Sequence, residues 1–335
     1  FEAAFAEFVG AGHAVAVATG SAALHLAVAA AGIGAGDEVI VPSLTFVATA
    51  NGVRYCGGTP VLADVVGPHD PTIDPADVAR KITPRTRAIA PVHYAGYPCD
   101  MAALLAIAEE HGLAILEDGA HAPGSTWNGR PIGSIGTATC FSFFSNKNMS
   151  TGEGGMVTTD DPEFAQAVRT ARSHGMTAPS YDKVRGHAFA YDVASTGWNY
   201  RITELQSAIG LVQLGKLRRN NDRRRALVAR YCARLDGIAG VEVPFAGRDD
   251  ESSCHIMAVL LPPGTDRPAL QAALRERGIQ SSMHYPPIHG FTEFAGFGPF
   301  DLPRTDALAA RLVTLPLHAM MSGTDVDLVC TELAD

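Results

Sequence analysis

The sequence predicts an α/β fold, with a mostly parallel central sheet covered by helices on both faces and a smaller C-terminal α+β domain. Two observations lead there. Over the first 160 residues short β-rich runs alternate with helical patterns, as expected for strands joined by crossover helices. From about residue 203 a long helical stretch breaks that alternation, and a shorter strand–helix–strand–helix pattern follows it. A chain of 335 residues has room for two domains. The expected division is a large domain at 1–202, a long linking helix at 203–240 and a small domain at 241–335.

The elements follow in order. Residues 14–19 read as a strand, 21–31 as a helix, 38–41 as a strand, 48–56 as a helix and 61–65 as a strand. Next come a helix at 75–82, a strand at 88–93, a helix at 101–111 and a strand at 113–117. Strands at 137–142 and 156–159 precede a helix at 162–173. The stretch 174–200, rich in Gly, Tyr and His, carries little regular pattern. From 203 to 235 apolar residues at 205, 208, 209, 211 and 212 mark a long helix, with a charged patch near 217–225. The small domain then reads as strand 256–261, helix 269–277, strand 281–284 and helix 305–312. Neither repeats nor low-complexity segments interrupt this order.

Composition removes several function classes. A net charge of −9 and a pI near 5.7 offer no basic surface for a nucleic-acid backbone. The longest apolar runs, such as 103–108, are too short to span a bilayer, and no signal peptide is visible. The cysteines at 56, 99, 140, 232, 254 and 330 form no CxxC pair and lie beside no closely spaced histidines. Reduced thiols in a cytoplasmic protein, with no metal site, are the expectation. The chain begins at Phe1 within a helical pattern, so a preceding segment is expected as well.

Lysine is scarce: only Lys81, Lys147, Lys183 and Lys216. Three sit in polar or charged surroundings that suit surface solvation. Lys147 instead follows the apolar run 140–144 and precedes a Gly-rich turn, in FSFFSNKNMSTGEGG. A lysine desolvated there has a lowered pKa and a nucleophilic amine. The alternative is an exposed loop lysine.

Thr19-Gly20-Ser21-Ala22 stands where the first strand turns into a helix. Ser21 reads as an N-cap, and a helix N-terminus bearing a hydroxyl suits an anion, although the same residues also serve as a plain structural cap. Gly10-Ala-Gly12 precedes its strand and lacks a third glycine, which argues against a dinucleotide fingerprint. Asp118 ends the strand LAILED, where a carboxylate either caps the next turn or pairs with a cofactor's pyridinium nitrogen. His121 either packs in the core or meets a planar ring. Ser142 alternates inward five residues before Lys147, within reach of a phosphate. Phe46, in SLTFVATA, offers an aromatic face or fills core.

Together and in this order these segments resemble the DegT/DnrJ/StrS family of sugar aminotransferases, members of the fold-type I pyridoxal-phosphate (PLP) enzymes. The resemblance runs nearly end to end, through TGSAALHLA, GDEVIVPSLTFVATANGV, PVHYAGYPCDM, LEDGAHAPGS, FSFFSNKNMSTGEGGMV, GWNYRITELQSAIGLVQL, HYPPIH and LPLHAMM. It implies Lys147 as the Schiff-base lysine and Asp118 as the partner of the pyridine nitrogen. Ser21, Ala22 (through its amide) and Ser142 would hold the phosphate, and Phe46 and His121 would flank the ring. His121 stands where many relatives have Gln. The segment 199–201 would reach a neighbouring subunit's site through Asn199 or Arg201, making a homodimer with shared sites.

By the same resemblance the cofactor alternates between PLP and pyridoxamine 5′-phosphate. Glutamate or glutamine is the amino donor, and the acceptor is a keto sugar, nucleotide-linked, or a keto-cyclitol. The product would be an amino sugar for cell-envelope glycans or an antibiotic. His93, His174, His284, Tyr285 and His318 are candidates for substrate contacts, each with a structural alternative. One family branch carries His in place of the lysine and dehydrates sugars; the presence of Lys147 favours transamination. A dehydratase of the same fold and a non-catalytic PLP- or sugar-binding regulatory protein are the rival readings.

Overall fold

The computed structural model describes residues 1–177, 192–248 and 251–334. Lys183 lies outside the described residues. The strands are β1 (His13–Val17), β2 (Glu38–Pro42), β3 (Thr59–Ala63), β4 (Val65–Gly67), β5 (Asp70–Ile73), β6 (Thr86–Ile89), β7 (Ala114–Asp118), β8 (Thr126–Trp127), β9 (Arg130–Pro131), β10 (Ala138–Ser142), β11 (Gly155–Thr159), β12 (Met257–Leu260) and β13 (Leu312–Leu315).

Seven of them form the central sheet in the order β1-β11-β10-β7-β6-β2-β3. Its neighbours pair in parallel except around β11, which runs antiparallel to both β1 and β10. Strands covered on both faces read as continuous apolar runs, and β2 (EVIVP) is buried at every residue. The two-residue period of the strand then sorts its side chains. Val39 and Val41 join one core with Leu26, Val28 and Phe164, while Ile40 joins the opposite core with Ile89, Met101 and Leu104. Helices Gly20–Ala30 and Pro162–Arg172 therefore cover one face, and Pro75–Lys81 and Met101–His111 cover the other.

Helix starts follow local chemistry. Asp74, Asp100, Asp161 and Asp266 each accept a first-turn amide, and Pro75, Pro162 and Pro268 stand in the first turn where no donor is missed. Each such cap stabilises its helix by about 1 kcal/mol. The longest helix, Glu204–Leu235, opens with a capping box between Thr203 and Gln206. Its later turns bury Leu227, Val228, Tyr231 and Leu235 in a second core with β12, β13 and helices Arg267–Glu276 and Gly323–Ala334.

Several expectations need correction. Residues 281–284 make no strand; only Ser282 bridges to Thr314, because Pro286 and Pro287 supply no amide with which a ladder could continue. The run 88–93 leaves the sheet at Ile89, since Pro91 follows, and the single bridge Val92–Asp118 prolongs it. The run 61–65 divides at Asp64, whose buried carboxylate accepts from the Val65 and Thr305 amides and from the Thr305 hydroxyl. Strand β13, the β4–β5 and β8–β9 hairpins and the helix Gly323–Ala334 had no expected counterpart. Short apolar runs such as LVTL read equally well as the end of the preceding helix.

Candidate active site

Four strand ends converge on one cavity of about 390 Å³, the place where parallel sheets present their ligands. After β1, Thr19 (not Ser21, as expected) caps helix Gly20–Ala30, its hydroxyl accepting the Ala22 amide at 3.0 Å. The Gly20 and Ser21 amides stand in the first turn with no partner among the described residues. Ala22 lies buried beneath the cavity wall, so its amide reaches a phosphate only in competition with Thr19. A Cβ on Gly20 would stand 2.7 Å from the Ser142 Cβ. Only glycine lets the helix start come so close to the end of β10.

β7 delivers Asp118. Its Oδ2 accepts the Thr49 hydroxyl at 2.7 Å and its Oδ1 the Ala120 amide at 3.0 Å. Thr45 lines the cavity itself, its hydroxyl 3.0 Å from that of Thr49. Thr45, Phe46 and Thr49 all come from SLTFVATA, so one segment supplies both an aromatic wall and the support of the carboxylate. Sequence reasoning missed Thr45 and Thr49, because the turn that brings their hydroxyls together precedes the helix Ala48–Tyr55 and carries no periodic signal.

Lys147 lies in the loop between β10 and β11 and faces the same cavity. Burial lowers its pKa to about 8, against the opposing pull of Asp118. Behind the loop, Asn148 is fixed on three sides: its amide donates to Asn221 and to the Ser253 carbonyl, and its oxygen accepts from His255. That anchor, unread in the sequence, sets the path of the residue beside the lysine.

His121, His284 and Tyr285 form the remaining wall. His121 Nε2 lies 2.8 Å from the Tyr285 hydroxyl. Burial first, then Lys147 and His284, hold the His121 imidazole neutral. His284 is lowered to about 4 by burial and then by Lys147.

Of the expected residues, the cavity gathers Ser21, Phe46, Asp118, His121, Ser142, Lys147, His284 and Tyr285. Others fall elsewhere. His93 is fully buried, with Nε2 2.8 Å from Glu117, and turns away from the cavity. His318 lines a separate groove, which meets the cavity at Asn146 and His284. His174 lies at a turn with φ 63° and lines neither. Asn199 and Arg201 are exposed, their backbones bridging to Ser173 and Val17, and line no part of this protomer's cavity. Among the described residues no group of three or more His, Cys, Asp or Glu is arranged to hold a metal, and no helix is long and apolar enough to cross a membrane.

The donor set fits PLP. Free first-turn amides and two serine hydroxyls suit a phosphate, a braced carboxylate suits a protonated ring nitrogen, and a buried amine of lowered pKa suits an aldehyde. A parallel sheet presenting these groups at its carboxyl edge defines a fold-type I aminotransferase.

The comparisons with known proteins agree. The chain belongs to the DegT/DnrJ/EryC1/StrS aminotransferase family, whose model matches residues 1–334. It is 42% identical over 343 residues to the spore coat polysaccharide biosynthesis protein SpsC of Bacillus subtilis, covering 100% of this chain and 88% of that protein. It is 40% identical over 339 residues to GDP-perosamine synthase of Caulobacter vibrioides, covering 99% and 88%. Among solved structures, S. venezuelae DesV superposes with a TM-score of 0.91 at 38% identity, covering 99% of this chain and 87% of that one. The putative sugar aminotransferase Spr1654 of Streptococcus pneumoniae, solved in a pyridoxamine-phosphate form, gives 0.92 at 29% identity, covering 99% and 90%. A PLP form of the same protein has been solved too.

Proposed function

We propose that this chain uses PLP to move an amino group from glutamate or glutamine to a keto sugar, nucleotide-linked, or to a keto-cyclitol, in the making of amino sugars for envelope glycans or an antibiotic. The observation that carries the reading is the cavity itself: Lys147, Asp118 and the open start of helix Gly20–Ala30 face one space. Bound there, PLP supplies an aldehyde to carry the amino group and a ring that takes up the electron pair released at carbon.

The chain's own residues do the rest. The Lys147 amine would hold the cofactor through its aldehyde. Lys147 would also carry the proton to and from the carbon that loses or gains the amino group, and a pKa of about 8 suits both directions of transfer near neutrality. Asp118, braced by Thr49 and Ala120, accepts the proton-bearing ring nitrogen. The Gly20 and Ser21 amides and the Ser21 and Ser142 hydroxyls take the phosphate, while Phe46 and His121 flank the ring. Among the described residues Lys147 is the one Lys or Arg that lines the cavity, which supports the reading that Asn199 or Arg201 of a second copy completes the phosphate end.

A homodimer belongs to the same proposal. Leu205, Ile209 and Val212 make an exposed apolar stripe at helical spacing, close in sequence to the 199–201 segment. Free thiols at Cys56, Cys99, Cys140 and Cys330 support a cytoplasmic location. The division at 1–202, 203–240 and 241–335 is supported by the separate core around β12 and β13, although Ile288, Phe294 and Leu302 return to the first core.

The test is the visible spectrum of the purified protein saturated with PLP, beside Lys147→Ala. Wild type should be yellow, lose that band with glutamate, and become covalently labelled at Lys147 with borohydride; the variant should do none of these and lose about 10⁴-fold in turnover. Absence of any trapped adduct at Lys147 in wild type would remove the reading. Loading adds a pH signature. The amine reacts only when deprotonated, so the loading rate should climb as pH rises through about 8 and level off above it.

A further inference from the structure

Tyr285 holds a position that the roles above leave unused. Its ring lies 5.8 Å from Phe46, which is 54% exposed at the cavity mouth, and 5.8 Å from the buried His121. The phenol thus lines the cavity that Lys147 faces. Its backbone is held from behind, since the Tyr94 hydroxyl donates to the His284 carbonyl.

The polarity of the Tyr285 hydroxyl can be worked out from its neighbours. The Ala95 amide donates to His121 Nδ1 at 3.3 Å. A backbone amide has no acceptor function, so Nδ1 carries the lone pair and the ring proton sits on Nε2. Nε2–H then donates to the Tyr285 oxygen at 2.8 Å. His121 has little freedom to reverse this, because Ser253 Oγ donates to its carbonyl at 2.6 Å and the His255 ring packs 4.3 Å away. With its oxygen accepting from His121, Tyr285 must point its own proton elsewhere, and the cavity is the open direction. Burial first, then Asp118, raise its pKa, so the phenol keeps that proton across the working range.

We propose that Tyr285 donates a hydrogen bond to the carbonyl oxygen of the keto compound that takes up the amino group, and that His121 is the positioning residue that fixes its polarity. This rests on the aminotransferase reading. A carbonyl oxygen gains negative charge as a nucleophile adds to its carbon, so a preorganised O–H donor there binds the transition state more tightly than the ground state. The same donor also disfavours compounds that bring no oxygen to that point.

The experiment uses full-length protein in the pyridoxamine-phosphate form with 2-oxoglutarate as the keto probe, following the return of the PLP absorption in single turnovers. Borohydride trapping at Lys147 in loaded wild type comes first; failure there ends the aminotransferase reading, whatever Tyr285 does. Tyr285→Phe should slow the return about 10- to 100-fold and leave the PLP spectrum, its pH titration and cofactor affinity unchanged. His121→Phe should slow the return to a similar extent, read at saturating cofactor because His121 also flanks the ring. His121→Gln should restore most of the rate, because its amide still offers one acceptor to Ala95 and one donor to Tyr285. Two results would overturn the proposal. One is a return rate within twofold of wild type in folded Tyr285→Phe. The other is a changed absorption or pH titration before any keto compound is added, which would assign the donor to the cofactor's ring oxygen instead.

Discussion

Glu117 and Asp118 are neighbours on β7, yet the pleat sends their side chains to opposite faces, and each face uses its carboxylate differently. On the inner side Glu117 is fully consumed by the protein. Its Oε2 meets His93 Nε2 at 2.8 Å, and its Oε1 accepts the Gly136 amide and the Thr139 hydroxyl, both at 2.8 Å. His93 Nδ1 in turn accepts the Cys99 amide, so the imidazole bridges two strand connections. On the cavity side each Asp118 oxygen has one donor, Thr49 or Ala120, and keeps acceptor capacity toward the open space. A carboxylate with three protein donors and no open space beside it holds the fold together. One that is braced yet unsatisfied is ready for a ligand.

The sharpest way to break this contrast is to neutralise Asp118. Asp118→Asn keeps the shape and removes the charge that we propose accepts a protonated ring nitrogen. Turnover should fall about 10²- to 10³-fold, the scale of losing one preorganised electrostatic partner. The melting temperature of the cofactor-free protein should stay within a few degrees, since Thr49 and Ala120 lose only one neighbour's charge. A large melting shift with preserved turnover would place Asp118 with Glu117 as a structural residue.

The reciprocal change is Glu117→Ala. It strands the His93 ring and the Thr139 hydroxyl in a fully buried setting, and the Gly136 amide in a half-buried one. Removing one partner from such a network costs about 3 kcal/mol of stability. Denaturant titration of the cofactor-free protein should show that loss, and turnover per folded molecule should be close to wild type. Near-native stability would mean that water or a shifted His93 satisfies the stranded donors.

The same contrast explains what the sequence disclosed. Lys147, Asp118 and Ser142 were legible because each ends or follows a strand, and period-two alternation tells which side chains turn inward. The parallel sheet was legible for a similar reason: strands buried on both faces, such as EVIVP, stand out from the helices between them. His93 misled because its motif, PVHYAGYPCDM, flags the segment without showing which face each side chain takes. His318 misled in the same way, its loop running beside a neighbouring groove. The anchors Asn148, Asn221 and Ser253 were invisible, since their contacts join residues 73 and 105 apart in the chain. Residues 281–284 were expected as a strand, but the two prolines that follow end the pairing after the single bridge at Ser282.

Thr49 gives the finest division between bracing and binding. Its side chain lines no part of the cavity; its hydroxyl holds Asp118 Oδ2 and lies 3.0 Å from that of Thr45. Thr49→Val keeps the β-branched shape at a buried site and removes one hydrogen bond to a carboxylate, worth about 1.5 kcal/mol. PLP affinity, followed by fluorescence quenching, should weaken by about tenfold, and turnover at saturating cofactor should fall by less. Thr49→Ser retains the hydroxyl and should recover most of the affinity, although the lost methyl lowers stability slightly. If Val and Ser behaved alike, the methyl packing of Thr49 would matter and its bond to Asp118 would not, and the Ala120 amide alone would suffice to aim the carboxylate.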